Sequence, residues 1–559
     1  MDESTPKKSL TPSAQYQDDL AEFERNDGRP AFILTIPEIK LLSIAGVGFF
    51  LDAYDLFIIN PVATMLQYRL YDGKALPDNL EGFVKAGANI GSVIGQFTFG
   101  YLADALGCKA VYGKELMLII IATILTLTTP TGRLSPNACL IYLGMFRILL
   151  GVGVGGDYPM SASVTSDRSN LYKRGTMLAY IFSNQGWGSF VGSLATIIVL
   201  LCYKSAMEGR GETSKVDGVR RVIVGLSLVP AFGTLYQRLT LPESTRYISA
   251  QKVKDSDHAN EAGDDIDQLN KEKEPEDAKI QNSAQNQANV TEREIDIGKL
   301  SDDAGEVDNA TAPPEPLVKK KAHFGEFITY FSEWRHGRML LGTCICWFLL
   351  DIAFYGINLN QNVVLQQIGY DGSTGTPWNR LFKISTGGMI ITALGFVPGY
   401  YVTVLTIEKL GRKWIQIQGF LMAALFLAIL AGKFHTLSKP AFIVCFAFLQ
   451  FFFNFGANTT TYCYPAELFP TRFRATAHGI SAASGKAGAI ISALAFNTLS
   501  KKVGTPVVLW IFFACCIAGA LFTLLLPEVM GRDPDAVLAE EIRVRREARK
   551  AQSQEVKET

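Results

Sequence analysis

Four aspartates sit inside long apolar runs. Asp52 and Asp55 fall in Gly46-Val-Gly-Phe-Phe-Leu-Asp52-Ala-Tyr54-Asp55-Leu-Phe57, Asp157 in Gly155-Gly-Asp157-Tyr158-Pro159, and Asp351 in Trp347-Phe-Leu-Leu-Asp351-Ile-Ala-Phe-Tyr355. An acid is costly in hydrocarbon, so each must face a polar cavity, pair with a base or carry a proton. Trp347, Asp351 and Tyr355 are spaced four apart, which puts an indole N–H, a carboxyl and a phenol on one helical face. Those groups suit a tetrahedral oxyanion that exchanges a proton. The competing reading is an aromatic packing stripe, which explains the rings but not the acid between them.

The elements that position these acids are membrane spans. The chain of 559 residues is 48% hydrophobic and 11% aromatic with only 19% charged residues, an apolar excess that needs a solvent other than water. Apolar blocks of spanning length recur near 41–66, 83–106, 111–129, 138–159, 177–202 and 222–241, and again near 339–363, 388–407, 415–431, 441–464, 477–499 and 507–526. The pattern predicts an all-α membrane protein of about twelve helices in two sets of six. Zero formal net charge removes any electrostatic case for nucleic acid. Of the nine cysteines, Cys344, Cys346, Cys445, Cys463, Cys515 and Cys516 lie in apolar segments and read as small core side chains, neither disulfides nor metal ligands.

Between the two sets, the stretch from about 249 to 316 is rich in Asp, Glu, Asn, Gln and Lys and almost without aromatics, the composition of a disordered linker. The first thirty residues hold no apolar h-region, so no cleavable signal peptide is expected and the N-terminus is expected to stay cytosolic. The expected organisation is a cytosolic tail (1–38), a six-helix half (39–247), a disordered cytosolic linker (248–336), a second six-helix half (337–528) and a charged cytosolic tail (529–559). Lys and Arg counts in the short loops do not decide orientation, because Lys204, Arg210, Lys215, Arg220 and Arg221 load a connector on the side expected to be external. The sequons at Asn289 and Asn309 carry no function if the linker is cytosolic.

The two halves echo each other. Gly100-Tyr-Leu-Ala-Asp104-Ala-Leu-Gly107-Cys108-Lys109 closes the second block, and Glu408-Lys-Leu-Gly411-Arg412-Lys413 stands at the equivalent place in the second half. Pro242-Glu243-Ser-Thr-Arg246 ends the sixth block as Pro527-Glu528 with Gly531-Arg532 ends the twelfth. An acid beside a Gly turn and a base can latch helix ends and favour one rocking state. These loops resemble the signatures of the major facilitator superfamily over essentially the whole chain outside tails and linker. That resemblance implies two pseudo-symmetric six-helix halves and gating roles for Asp104, Lys109, Glu243, Arg246, Glu408, Arg412 and Lys413.

The fourth block, Arg147-Ile-Leu-Leu-Gly151-Val-Gly153-Val-Gly155-Gly156-Asp157-Tyr158-Pro159, narrows the resemblance. Gly151, Gly153 and Gly156 match the dinucleotide-binding pattern formally, but no βαβ context surrounds them. Their physical reading is close helix approach, with Pro159 opening the backbone beside Asp157 and Tyr158. Together with the runs around Asp52 and Asp351 and with Asn458-Thr-Thr-Thr-Tyr462, Pro465-Ala-Glu467-Leu-Phe-Pro470 and His478-Gly-Ile-Ser481-Ala-Ala-Ser484-Gly-Lys486, it resembles the phosphate:proton symporter family, especially its fungal high-affinity members. Cys108 in place of an Arg and Asp167 in place of a Glu are departures, both on loops.

The resemblance implies that Tyr158, Gln185, Trp347, Asp351, Tyr355 and Asn458 line an anion site. Asp52, Asp55, Asp157, Asp351, Glu115, Arg147 and Lys486 are the candidates for the proton route or its balancing charges, although Lys486 also reads as a lysine that merely neutralises an acid in the fold. The implied activity is proton-coupled import of inorganic phosphate across a plasma membrane, with phosphate, protons and the bilayer as partners. The alternatives are an organophosphate carrier of the glycerophosphodiester type and a phosphate-sensing receptor of transporter fold. No metal cluster, nucleophile elbow or nucleotide loop in its required context is present, so the sequence does not read as an enzyme and implies no cofactor.

Overall fold

The computed structural model describes residues 28–209, 213–242, 324–370 and 375–558. Glu243, Arg246 and the expected linker as far as residue 323 lie outside the described residues. In the first half the spans are α1 (Ile36–Leu70), α2 (Asp78–Leu106), α3 (Cys108–Leu127), α4 (Pro136–Arg168), α5 (Arg174–Cys202) and α6 (Val216–Leu239). In the second, a short α7 (Phe324–Ser332) leads into α8 (Trp334–Asn358), α9 (Gln361–Ile368), α10 (Pro377–Leu410), α11 (Arg412–Gly432), α12 (Lys439–Leu468), α13 (Arg474–Val503), α14 (Thr505–Thr523) and α15 (Pro534–Glu558). Among the described residues no strand forms.

Eleven of these segments are long and apolar enough to cross a membrane. The twelfth span is α2, 29 residues long, whose apolar character is diluted by Lys85, Asn89, Ser92 and Gln96. Helix starts follow local chemistry: Ser135 and Ser438 cap α4 and α12 by accepting from the amides of Ala138 and Ala441, each with a proline in the first turn. The turns after α2 and α10 both rest on a glycine at positive φ, Gly107 at 88° and Gly411 at 80°. Internal symmetry therefore extends to backbone conformation.

The glycines of the fourth block do what their spacing predicts. A Cβ on Gly151 or Gly155 would collide with the carbonyls of Ala88 and Ser92, and one on Gly91 or Gly95 with those of Ile148 and Val152. Small residues on both helices thus let α2 and α4 pack backbone to backbone. The α4 helix runs through Pro159 without ending, so Asp157 and Tyr158 are presented from regular helix and not from an opened segment.

The last part of the stretch assigned to the linker, from 324 on, is helical. On α7, Phe327 and Phe331 meet Phe473 and Phe469 edge to face just before α13, with centroids 6.0 and 5.5 Å apart, and this apolar face orders the segment. The C-terminal tail opens with a turn and is helical from Pro534 on, and Asp535 of α15 accepts from the amide and hydroxyl of Thr471 at 2.7 and 2.6 Å.

Candidate functional site

Halfway along the spans, seven helices bring polar side chains from both halves into one buried cluster. Asp52 (α1) accepts from Tyr158 (α4) at 2.6 Å and from Gln185 (α5) at 3.1 Å, and Gln185 also donates to the Tyr158 oxygen at 2.6 Å. From the second half, Lys486 (α13) donates to Tyr355 (α8) at 2.5 Å and reaches Tyr158 at 3.5 Å, with its ammonium over both rings. Asn458 (α12) donates to Tyr400 (α10) at 2.9 Å, and Tyr400 donates in turn to Gln185 at 3.2 Å. Trp347 lies edge to face with His478, centroids 5.6 Å apart. Every anion-site candidate named from the sequence falls in or beside this cluster; Tyr400, which closes it between the halves, is an addition.

Electrostatically the cluster is donor-rich around two acids. Lys486 is the cation facing both Asp52 and Asp351. One oxygen of each acid, Oδ1 of Asp52 and Oδ2 of Asp351, is buried with no hydrogen-bond partner in the protein. Buried carboxylate oxygens are normally satisfied, so these two mark positions where a proton or a ligand belongs. An aromatic layer of Phe49, Phe182 and Tyr462 seals the cluster on the side where α1 begins, Phe182 stacking on Tyr462 at 4.7 Å.

The other proton-route candidates separate into two groups. Asp157 and Glu115 share Arg238 of α6, whose Nη1 lies 2.5 Å from Asp157 and 3.2 Å from Glu115 while the guanidinium also donates to the carbonyls of Ile44 and Ala45. Arg238 is fully buried over the Tyr112 ring and was not singled out from the sequence, where an arginine near the end of a span reads as one that reaches for water. Arg147 stands apart from that pair: it donates to the carbonyls of Val84 and Asp55 at 2.9 and 3.3 Å, and with Asp55 and Arg220 it lines a cavity of about 20 Å³.

At the end of the bundle where α1 begins, here the terminal end, acids of one half cap helices of the other. Asp104 accepts from the amides of Ala475 and Thr476 at the start of α13, at 3.1 and 2.7 Å. Glu408, its repeat-related counterpart, accepts from the amide of Thr176 at the start of α5 at 3.0 Å. Unpaired amides and the helix dipole both favour a carboxylate there. Arg412 holds Glu408 and Glu467 at 2.7 and 2.6 Å. At the equivalent of Arg412 stands Cys108, and Asp167 pairs with Arg474 across the halves. The amides of Arg412 and Lys413 donate to Glu528 at 3.0 and 2.9 Å, while Lys109 is exposed. At the far end Asn60 donates to the Asn358 carbonyl at 3.0 Å, Lys85 to Asn360 at 3.3 Å, and Trp378 to the Leu200 carbonyl at 2.7 Å. The halves are tied at both ends, with the central cluster enclosed between them.

Two six-helix halves around a buried polar centre, sealed at either end by contacts between the halves, define a multi-pass membrane transporter of the major facilitator type. The chain belongs to the sugar (and other) transporter family, whose model matches residues 41–313 and 316–537. A Schizosaccharomyces pombe protein is 44% identical over 94% of this chain and 93% of its own length. The inorganic phosphate transporter PHO84 of Saccharomyces cerevisiae is 37% identical over 88% of this chain and 82% of its own, and the repressible high-affinity phosphate permease of Neurospora crassa 34% over 94% and 92%. The proton:xylose symporter XylE bound to 6-bromo-6-deoxy-D-glucose shares the fold, with a TM-score of 0.63 at 18% identity over 90% of this chain and 98% of that one.

Proposed function

We propose that the protein imports inorganic phosphate together with protons, by alternating access, across a plasma membrane with both termini and the linker in the cytosol. The observation that carries this reading is the pair of buried acids, Asp52 and Asp351, each with an unpartnered oxygen, around the single ammonium of Lys486. Tyr158, Gln185, Tyr355 and Asn458 supply neutral donors at the same place. A phosphate beside an ionised carboxylate is repelled unless one of them holds a proton, so anion and proton must bind interdependently. The names of the fungal relatives agree with this substrate.

Selectivity follows from the same acids. A carboxylate accepts from the hydroxyl of hydrogen phosphate, whereas sulfate has no proton to give near neutral pH and leaves like charges unmatched. Alternating access is supported by the two sets of contacts between the halves, which must break in turn to expose the centre to each side. Competition against radiolabelled phosphate bound to purified protein tests the reading: phosphate should compete fully, while sulfate and a glycerophosphodiester compete at least tenfold more weakly. Equal competition by the diester would transfer the function to an organophosphate carrier.

A further inference from the structure

One face of α2 carries Lys85, Asn89, Ser92 and Gln96, spaced four, three and four residues apart, and all four are buried. Ser92 satisfies itself on the carbonyl of Ala88, but both amide atoms of Asn89, and both of Gln96, have no hydrogen-bond partner in the protein. Lys85 is held by Glu81, 2.7 Å away on its own helix, and by the side-chain oxygen of Asn360 in the other half. Buried amides left without partners are costly, so this face is built for a guest that comes and goes.

Its position says which guest. Helix α2 packs along α13: a Cβ on Gly82 would touch Ala493 and Leu494, and one on Gly479 would collide with the carbonyl of Gln96. Asn89 is midway between Gly82 and Gln96, and Lys486 midway between Gly479 and Ala493, so the two stand at one level along the seam. Lys85 is one turn, roughly 6 Å, nearer the far end. It forms a layer with Asn360, five residues beyond the Tyr355 that Lys486 grips.

We propose that the Lys85–Asn89 face of α2 is the access track of the anion, with Lys85 its first cationic station and Asn89 the hand-over point to Lys486. The inference rests on the phosphate reading above. When the halves part at the far end, Asn360 withdraws and the ammonium faces the opening with Glu81 alone as neighbour. A compact cation with three donors captures a hydrated oxyanion, and Glu81 keeps that capture weak enough for release inward. Asn89 then offers a neutral donor on the way to the centre.

Initial rates of phosphate uptake into proteoliposomes test the track, with KM and kcat measured at low and high ionic strength. Lys85→Gln should raise KM about tenfold with kcat within twofold of wild type, and should flatten the salt dependence of kcat/KM. Lys85→Arg should restore most of the loss, Asn89→Leu should also raise KM, and Lys204→Gln, an exposed lysine at the same end, should leave KM alone. A structural tie to Asn360 would instead lower kcat or yield without touching the salt dependence. Unchanged KM and salt dependence in Lys85→Gln, or an Arg variant no better than Gln, overturns the track. If Lys85→Gln does not fold, the Arg and Leu variants decide by the same criteria. Wild-type uptake in the same vesicles separates these results from failure of the substrate reading, which would abolish uptake in every variant alike.

Discussion

Asp351 and Asp52 do different work only if one of them titrates during the cycle. Replacing Asp351 by Asn keeps shape and hydrogen bonding but removes the proton, so binding of phosphate should stay within about tenfold of wild type while accumulation against a gradient is lost. Under the proposed symport the proton is taken up with the anion, so wild-type affinity should fall as pH rises, and in Asp351→Asn only the titration of phosphate itself and of Asp52 should remain. Isothermal titration over a pH series reads both. An Asn variant that still accumulates phosphate with the wild-type pH profile moves the proton to Asp52 or Asp157. Arg238 belongs to the same scale. Changing it to Met strands the buried carboxylates of Asp157 and Glu115, a loss of about 3–5 kcal/mol in thermal unfolding, and adding Asp157→Asn should return part of it. A Tm for Arg238→Met equal to wild type would mean that the pair does not hold the half together.

Among the elements, the helix ends joined across the halves invite the clearest test. Asp104→Ala removes the acceptor for the first amides of α13, and Glu408→Ala the acceptor at the start of α5. A lost cap costs about 1 kcal/mol, so amide exchange at 475–478 in the first variant and at 176–179 in the second should quicken roughly fivefold. Exchange unchanged in both would show that the caps do not close the terminal end. Much of this level was legible in the sequence. The apolar runs predict the spans, the Gly-Val-Gly-Val-Gly-Gly run predicts a close helix approach without naming α2 as the partner, and the repeated Gly-acid-base loops mark Asp104 and Glu408, which accept from helix starts of the opposite half. What stayed hidden needed packing between distant segments. Arg238 meets Asp157 across 81 positions, and Tyr400 meets Gln185 across 215, with no local spacing to announce either. Arg147 stands in an apolar stretch of α4, Ile141 to Leu150, that gives no hint of whether it serves Asp157 or Asp55; the structure puts it against the Asp55 backbone.

For the whole molecule, the account requires two halves that rock about a fixed centre, with a linker that only connects them. Protease should therefore cut between 249 and 316 in inside-out vesicles and not from outside intact cells, and deleting that stretch should leave phosphate binding by the purified protein unchanged. Cleavage from outside would reverse the orientation. The central claim is coupling, and proton flux measured together with phosphate flux tests it most directly. Proteoliposomes loaded with a pH-sensitive dye, given phosphate outside and an inward proton gradient, should acidify as radiolabelled phosphate accumulates above its external concentration, and a protonophore should abolish the accumulation. Phosphate that merely equilibrates, without acidification and at the same rate with the protonophore present, would contradict it.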